Sequence, residues 1–163
     1  MNATRDIPIS ASAARACAES VLRGGIAGLE PMFIGPELKT GEVVAVHNLQ
    51  HRIAYYLVGL MAPQGLIGFV RVGANGTIQA WGSFGSRPVS TVTRLSQDQA
   101  VAAARARAQV AHGEVLNTPR FVCDGSSGHE AWLIEVQRAG IPQRWIFVTP
   151  EGIYERSVDP SHR

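Results

Sequence analysis

Hydrophobic and polar positions change period along this chain, and each change marks an element. From Ser10 the text "SASAARACAESVLRGG" brings Ala14, Cys17, Ala18, Val21 and Leu22 to one face at helical spacing, with Gly24 and Gly25 as a stop. An amphipathic helix is predicted. The passage after it is broken by Pro31, Pro36 and several glycines, and reads as a connection with one short strand around Met32 to Ile34. Then "EVVAVHNL", "RIAYYLVGLM", "GLIGFVRVG" and "TIQAWGSF" follow as β-rich runs. Asn75-Gly76 between the last two predicts a tight hairpin of type I′, in which both residues take positive φ.

After the joint "GSRPVSTVTR" the same succession begins again. Ser96 and Gln99 are spaced as a capping box, Leu95 and Ala100 as a hydrophobic staple, and Gly113 stands where a left-handed cap belongs. Between them Val101, Ala104, Ala108 and Ala111 form an apolar stripe of small residues, which implies close packing. Four β-rich runs follow: "EVLNTPRFVCD", "HEAWLIEVQR", "QRWIFVT" and "GIYERSV". Tyr56 precedes Val72 by 16 residues and Gly76 by 20, and Trp132 precedes Val148 and Gly152 by the same intervals. The expected organisation is α+β: two helix-plus-antiparallel-meander halves, residues 1–90 and 91–163, arising from one duplicated unit. Ser10 to Tyr56 spans 46 residues and Ser96 to Trp132 spans 36. The excess falls in the Pro/Gly-rich connection.

The second half, at "AWLIEVQRAGIPQRWIFVTPEGIYE", resembles a PepSY-type unit: Trp132, Ile134 and Val136 match its aromatic-x-aliphatic-x-aliphatic strand, and Val148 with Gly152 its later turn. The first half resembles the propeptides of streptopain-type cysteine proteases and their free-standing inhibitor relatives, through Tyr55, Tyr56, Val58, Gly68, Phe69, Val70, Val72, Trp81, Gly82 and Ser83. Gly73, Ala74 and Asn75 stand where those propeptides carry acidic residues, and no protease domain is present in the 163 residues. The resemblance implies a PepSY/cystatin-like fold and a protein that inhibits, chaperones or confers immunity by binding.

Composition narrows the picture further. Apolar residues make up 45% and charged ones 17%, with a mean hydropathy of +0.03, which is a globular composition. Fourteen arginines and Lys39 against 13 acids leave a net charge of +2 with no basic run, so nucleic acid is not an expected partner. No apolar window is long enough to span a membrane, and the N-terminus lacks the organisation of a secretory signal. A cytoplasmic location is expected for the chain as it stands, or a secreted or periplasmic one if a leader has been removed.

Candidate chemistry is sparse. Cys17 and Cys123 are expected to be free and buried. His47 and His51 are four apart, a metal-binding spacing on a helix, but along a strand that offset separates them by about 13 Å. Cys123, Asp124, His129 and Glu130 share one Gly/Ser-rich connection, too mobile in composition for a nucleophile and base. No metal or cofactor is expected. Among the strand aromatics Tyr56 and Trp132 read as core, whereas Tyr55, Trp81 and Phe84 are candidates for an exposed binding patch. The function expected is that of a non-catalytic protein docking on a protein or peptide partner, with a homodimer compatible. The alternative is an enzyme or accessory protein that holds a small molecule or modified peptide on the concave sheet face.

Overall fold

The computed structural model describes residues 7–24, 37–85, 87–107, 111–125 and 128–158. The strand expected at Met32 to Ile34, the stop residue Gly25 and the stripe residue Ala108 lie outside these. The described residues form an α+β structure of two helices and nine strands. The chain divides into two units, Met1–Arg94 and Leu95–Arg163.

In the first unit Ser10 caps helix α1 (Ala11–Gly24), its Oγ accepting from the Ala13 amide at 3.1 Å. Strands β1 (Lys39–His47), β2 (Ile53–Ala62), β3 (Gly65–Gly73) and β4 (Ile78–Ser83) pair antiparallel in the order β4-β3-β2-β1. Helix α1 covers one face of β1, β2 and β3. Ala14 and Ala18 are fully buried there against Tyr56, Val58, Leu60, Val70 and Val72, flanked by Cys17, Val21 and Leu22. Small helix residues let the axis approach the sheet closely, and the larger side chains of this core come from the strands.

The second unit opens with the predicted capping box. Ser96 Oγ accepts from the Gln99 amide at 3.2 Å, and the Gln99 side chain accepts from the Ser96 amide at 2.8 Å. Ser96→Ala is expected to cost about 1 kcal/mol of stability, measured as a shift in denaturation midpoint. Helix α2 (Gln97–Arg107) is followed by β5 (Glu114–Leu116), β6 (Arg120–Cys123), β7 (Glu130–Arg138), β8 (Ile141–Thr149) and β9 (Gly152–Ser157). Strands β7, β8 and β9 form a meander, and β5 and β6 both pair with the free side of β7, at opposite ends. One strand was expected where β5 and β6 lie. Pro119 between them has no amide hydrogen to donate, which interrupts the ladder. Ala100 and Ala104 are buried on Ile134, Val136, Ile146 and Val148, with Val101 and Trp132 beside them. Ala111 is exposed beyond the end of α2 and so is not part of the stripe. Gly113 does take a left-handed φ of 82°.

The two central hairpins share one register. Tyr56 faces Val72 in β2–β3 and Trp132 faces Val148 in β7–β8; each ladder shifts by one residue near its turn, between Leu60 and Met61 in the first and between Val136 and Gln137 in the second. The equal spacing of 16 is thus a pairing distance across a hairpin. Each aromatic also makes the same tether. The Tyr56 hydroxyl donates to the Ile9 carbonyl, and the Trp132 indole donates to the Leu95 carbonyl at 2.8 Å. Ile9 and Leu95 immediately precede the caps Ser10 and Ser96.

The turn at Gly76 differs from the type I′ expected. Gly76 has φ 87°, but Asn75 does not share a positive φ. The Gly76 amide returns to the Gly73 carbonyl and the Gly73 amide binds the Thr77 carbonyl, both at 2.8 Å, so a single left-handed glycine closes the turn as a bulge. Asn75 Oδ1 accepts from the Thr77 amide and hydroxyl instead. Gly152 occupies the corresponding step, paired with Thr149, without a left-handed φ and with open space where a Cβ would stand. Gly76→Val should therefore cost about 1–3 kcal/mol from backbone strain, while Gly152→Val leaves the midpoint nearly unchanged. Equal losses at the two sites would show that the turns are strained alike.

Candidate functional site

The three aromatic residues expected to form one patch are placed apart. Tyr55 pairs with Val46 and Gly73 in the middle of the sheet, only 3% exposed, with the Arg71 guanidinium 4.7 Å above its ring. Tyr55 is thus a core residue, contrary to the exposed position expected for it. Leu57, next along that face, is likewise only 5% exposed, while Val44 and Arg71 beside it are half-buried. Phe84 is half-buried just past β4, its ring 5.6 Å from Phe69. Trp81 remains, 38% exposed.

A shift in register explains where Trp81 points. Ile78 pairs with Val72 and Trp81 with Val70, and the ladder slips between Arg71 and Val72. Val70 and Val72 both lie in the core beneath α1. Strict alternation would put residues three apart on opposite faces, but the bulge brings Trp81 to the helix side. Sequence alternation alone gave no sign of this.

Trp81 stands on the last strand of its unit's order, with no further strand beside β4 among the described residues. The Phe84 amide binds the Ile67 carbonyl at 2.9 Å. Hydrogen-bonded and non-hydrogen-bonded pairs alternate along an antiparallel ladder, so Gly82 and Ala80 also turn their backbone groups toward β3. Trp81 and Ser83 turn theirs outward. The strand "IQAWGS" has no charge and no proline, the usual protections of an edge. Strand β9, last in the other unit, is charged: Glu155 meets Arg144 at 3.2 Å, and Arg156 meets Asp124 at 2.6 Å.

The Cys123 thiol donates to the Gly125 carbonyl at 3.4 Å, and the His129 carbonyl accepts from the Asp124 amide at 2.9 Å while the residue itself is exposed. His47 closes β1, whereas His51 lies in the turn that follows with φ 67°, so the chain reverses between them instead of running on as a strand. Cys17 is half-buried, Cys123 is buried, and neither forms a disulfide. Among the described residues no three His, Cys, Asp or Glu side chains are grouped to hold a metal ion.

One polar cluster was not foreseen. Asp124, its side chain only 4% exposed, accepts from the Tyr154 hydroxyl and from Arg156, each at 2.6 Å. Tyr154 stacks on Phe147 at 4.9 Å and 5°. Burial and then the bond to Asp124 push the Tyr154 phenol up to about 12, with Arg156 opposing. A phenol held this high is a poor proton carrier near neutrality, which favours a structural role. Its folded value lies above the ordinary 10, so its contribution to stability is complete below pH 10 and is lost as pH rises toward 12. Tyr154→Phe should remove a tyrosinate step near 12 from the absorbance titration.

A groove of about 450 Å³ runs between α1 and the start of β1, lined by Arg15, Glu19, Leu22, Arg23, Leu38, Lys39 and Thr40. It lies beside the helix, away from the sheet face where a ligand pocket was expected, and its charged rim gives little apolar enclosure. No helix among the described residues is long and apolar enough to cross a membrane. Comparison with known families, curated proteins and solved structures gives no match.

Proposed function

We propose that this chain is a non-catalytic binding protein, of the inhibitor, chaperone or immunity kind, which docks a protein or peptide partner by adding it as a strand to β4 with Trp81 as anchor. The observation that carries this reading is the edge itself: an uncharged strand with outward backbone groups and a 38% exposed tryptophan. Strand addition draws affinity from main-chain bonds and specificity from neighbouring side chains.

We further propose that the two units descend from one duplicated helix-plus-meander unit, the PepSY-like pattern. Supporting it are the shared hairpin register, the matched core set, the serine caps and the aromatic tethers to Ile9 and Leu95. A scaffold serving as a rigid frame for one edge has no need of a nucleophile.

Capture of partners on the immobilised chain, followed by titration with variants, tests the binding reading. Cys123→Ala and His129→Ala should leave partner affinity intact, whereas Trp81→Ala weakens it. Loss of function in either of the first two with folding preserved would replace binding with chemistry.

A further inference from the structure

The β4 edge is complementary to itself, and we propose that two copies of the chain pair antiparallel along it about a two-fold axis through Gly82. This inference rests on the same edge as the binding reading, but on its geometry rather than on any foreign partner. The outward-facing residues are Trp81 and Ser83, one on each side of Gly82. With Gly82 opposite Gly82 of the second copy, each Trp81 faces the second copy's Ser83. Every outward amide and carbonyl of these residues then exchanges bonds with its counterpart, as hydrogen-bonded antiparallel pairs do. The side chains agree with that register. The large indole lies across from the small hydroxymethyl group, and glycine fills the close, non-hydrogen-bonded position at the axis, where Cα atoms approach to about 4.5 Å.

Charge agrees as well. A two-fold interface sets residue i against j and j against i, so an edge carrying charge of one sign repels itself and an uncharged one does not. Nothing in "IQAWGS" is charged. Strand β9 lacks this property: Glu155 and Arg156 occupy its length, and both are committed to partners within their own unit. The pairing is short, so the association belongs to the weak class of small interfaces. It also covers the groups that a foreign strand would need, so dimer and partner-bound forms exclude each other.

Sedimentation of the purified full-length chain from micromolar to millimolar concentration tests this. The expected result is a concentration-dependent rise toward the dimer, with amide exchange slowed at Trp81 and Ser83 in the concentrated sample. Ser83→Glu, which sets a carboxylate under the second copy's indole, should weaken self-association at least tenfold with the melting temperature unchanged. A monomer at every concentration overturns the proposal, and so does a dimer in which these two amides stay unprotected. Partner affinity measured in dilute solution, where the chain is monomeric, is read separately. A monomeric chain that still captures a partner through Trp81 sinks the self-pairing alone, and a dimer that captures none sinks the binding reading alone.

Discussion

Ile134→Ala is expected to lower the unfolding free energy by about 3 kcal/mol, within the range for removing a buried aliphatic side chain whose cavity cannot close. Ile134 is fully buried in the middle of β7, between Trp132 and Val136 on the face covered by α2. The residues above it are Ala100 and Ala104, whose methyl groups have no further atoms with which to fill a void. The strands on either side are fixed by their ladders, so only a movement of the helix could close the gap, at the expense of its own contacts. Val58 holds the matching position under Ala14 and Ala18, and Val58→Ala should cost less, about 2 kcal/mol, because fewer methylenes are lost. Chemical denaturation followed by tryptophan fluorescence measures both. A loss under 1 kcal/mol at Ile134 would mean that α2 does not pack as described.

That core was legible in the sequence because its signals are local. Apolar residues at helical spacing in "AARACAESVL" and at alternate positions in "YYLVGL" name their own faces, and the residues they name lie in the core of the first unit. The equal spacings of Tyr56 and Trp132 were legible for a physical reason also: a hairpin of fixed length converts separation along the chain into register across it. Features that depend on contacts distant in sequence were not legible. Asp124 meets Tyr154 and Arg156 across separations of 30 and 32 residues, and no short pattern announces such a cluster. Alternation says that Tyr55 and Tyr56 face opposite sides, but whether the second side is buried depends on what packs there. The slip between Arg71 and Val72 reverses the face of Trp81 without any glycine or proline in β4 ahead of it to mark the bulge.

The contrast between Tyr55 and Trp81 gives the sharpest expected result for function. Sequence alone placed both in one binding patch, and a buried Tyr55 now separates them by mechanism. Tyr55→Ala removes an aromatic ring that is 3% exposed and carries the Arg71 guanidinium on its face, so it should destabilise the fold by about 3–5 kcal/mol, the scale of core aromatic truncations. Any loss of binding in that variant should follow the loss of folded protein. Trp81→Ala removes a ring that is already 38% exposed on an edge strand, so its unfolding midpoint should fall little. Partner affinity should nevertheless drop by about 2 kcal/mol, roughly thirtyfold, as for an aromatic anchor desolvated only in the complex. Denaturation and partner titration on the same two preparations separate the cases. If Trp81→Ala binds as the parent does, the docking edge is not β4; if Tyr55→Ala keeps its stability and loses affinity, the partner reaches Tyr55 itself, which is buried in the free protein.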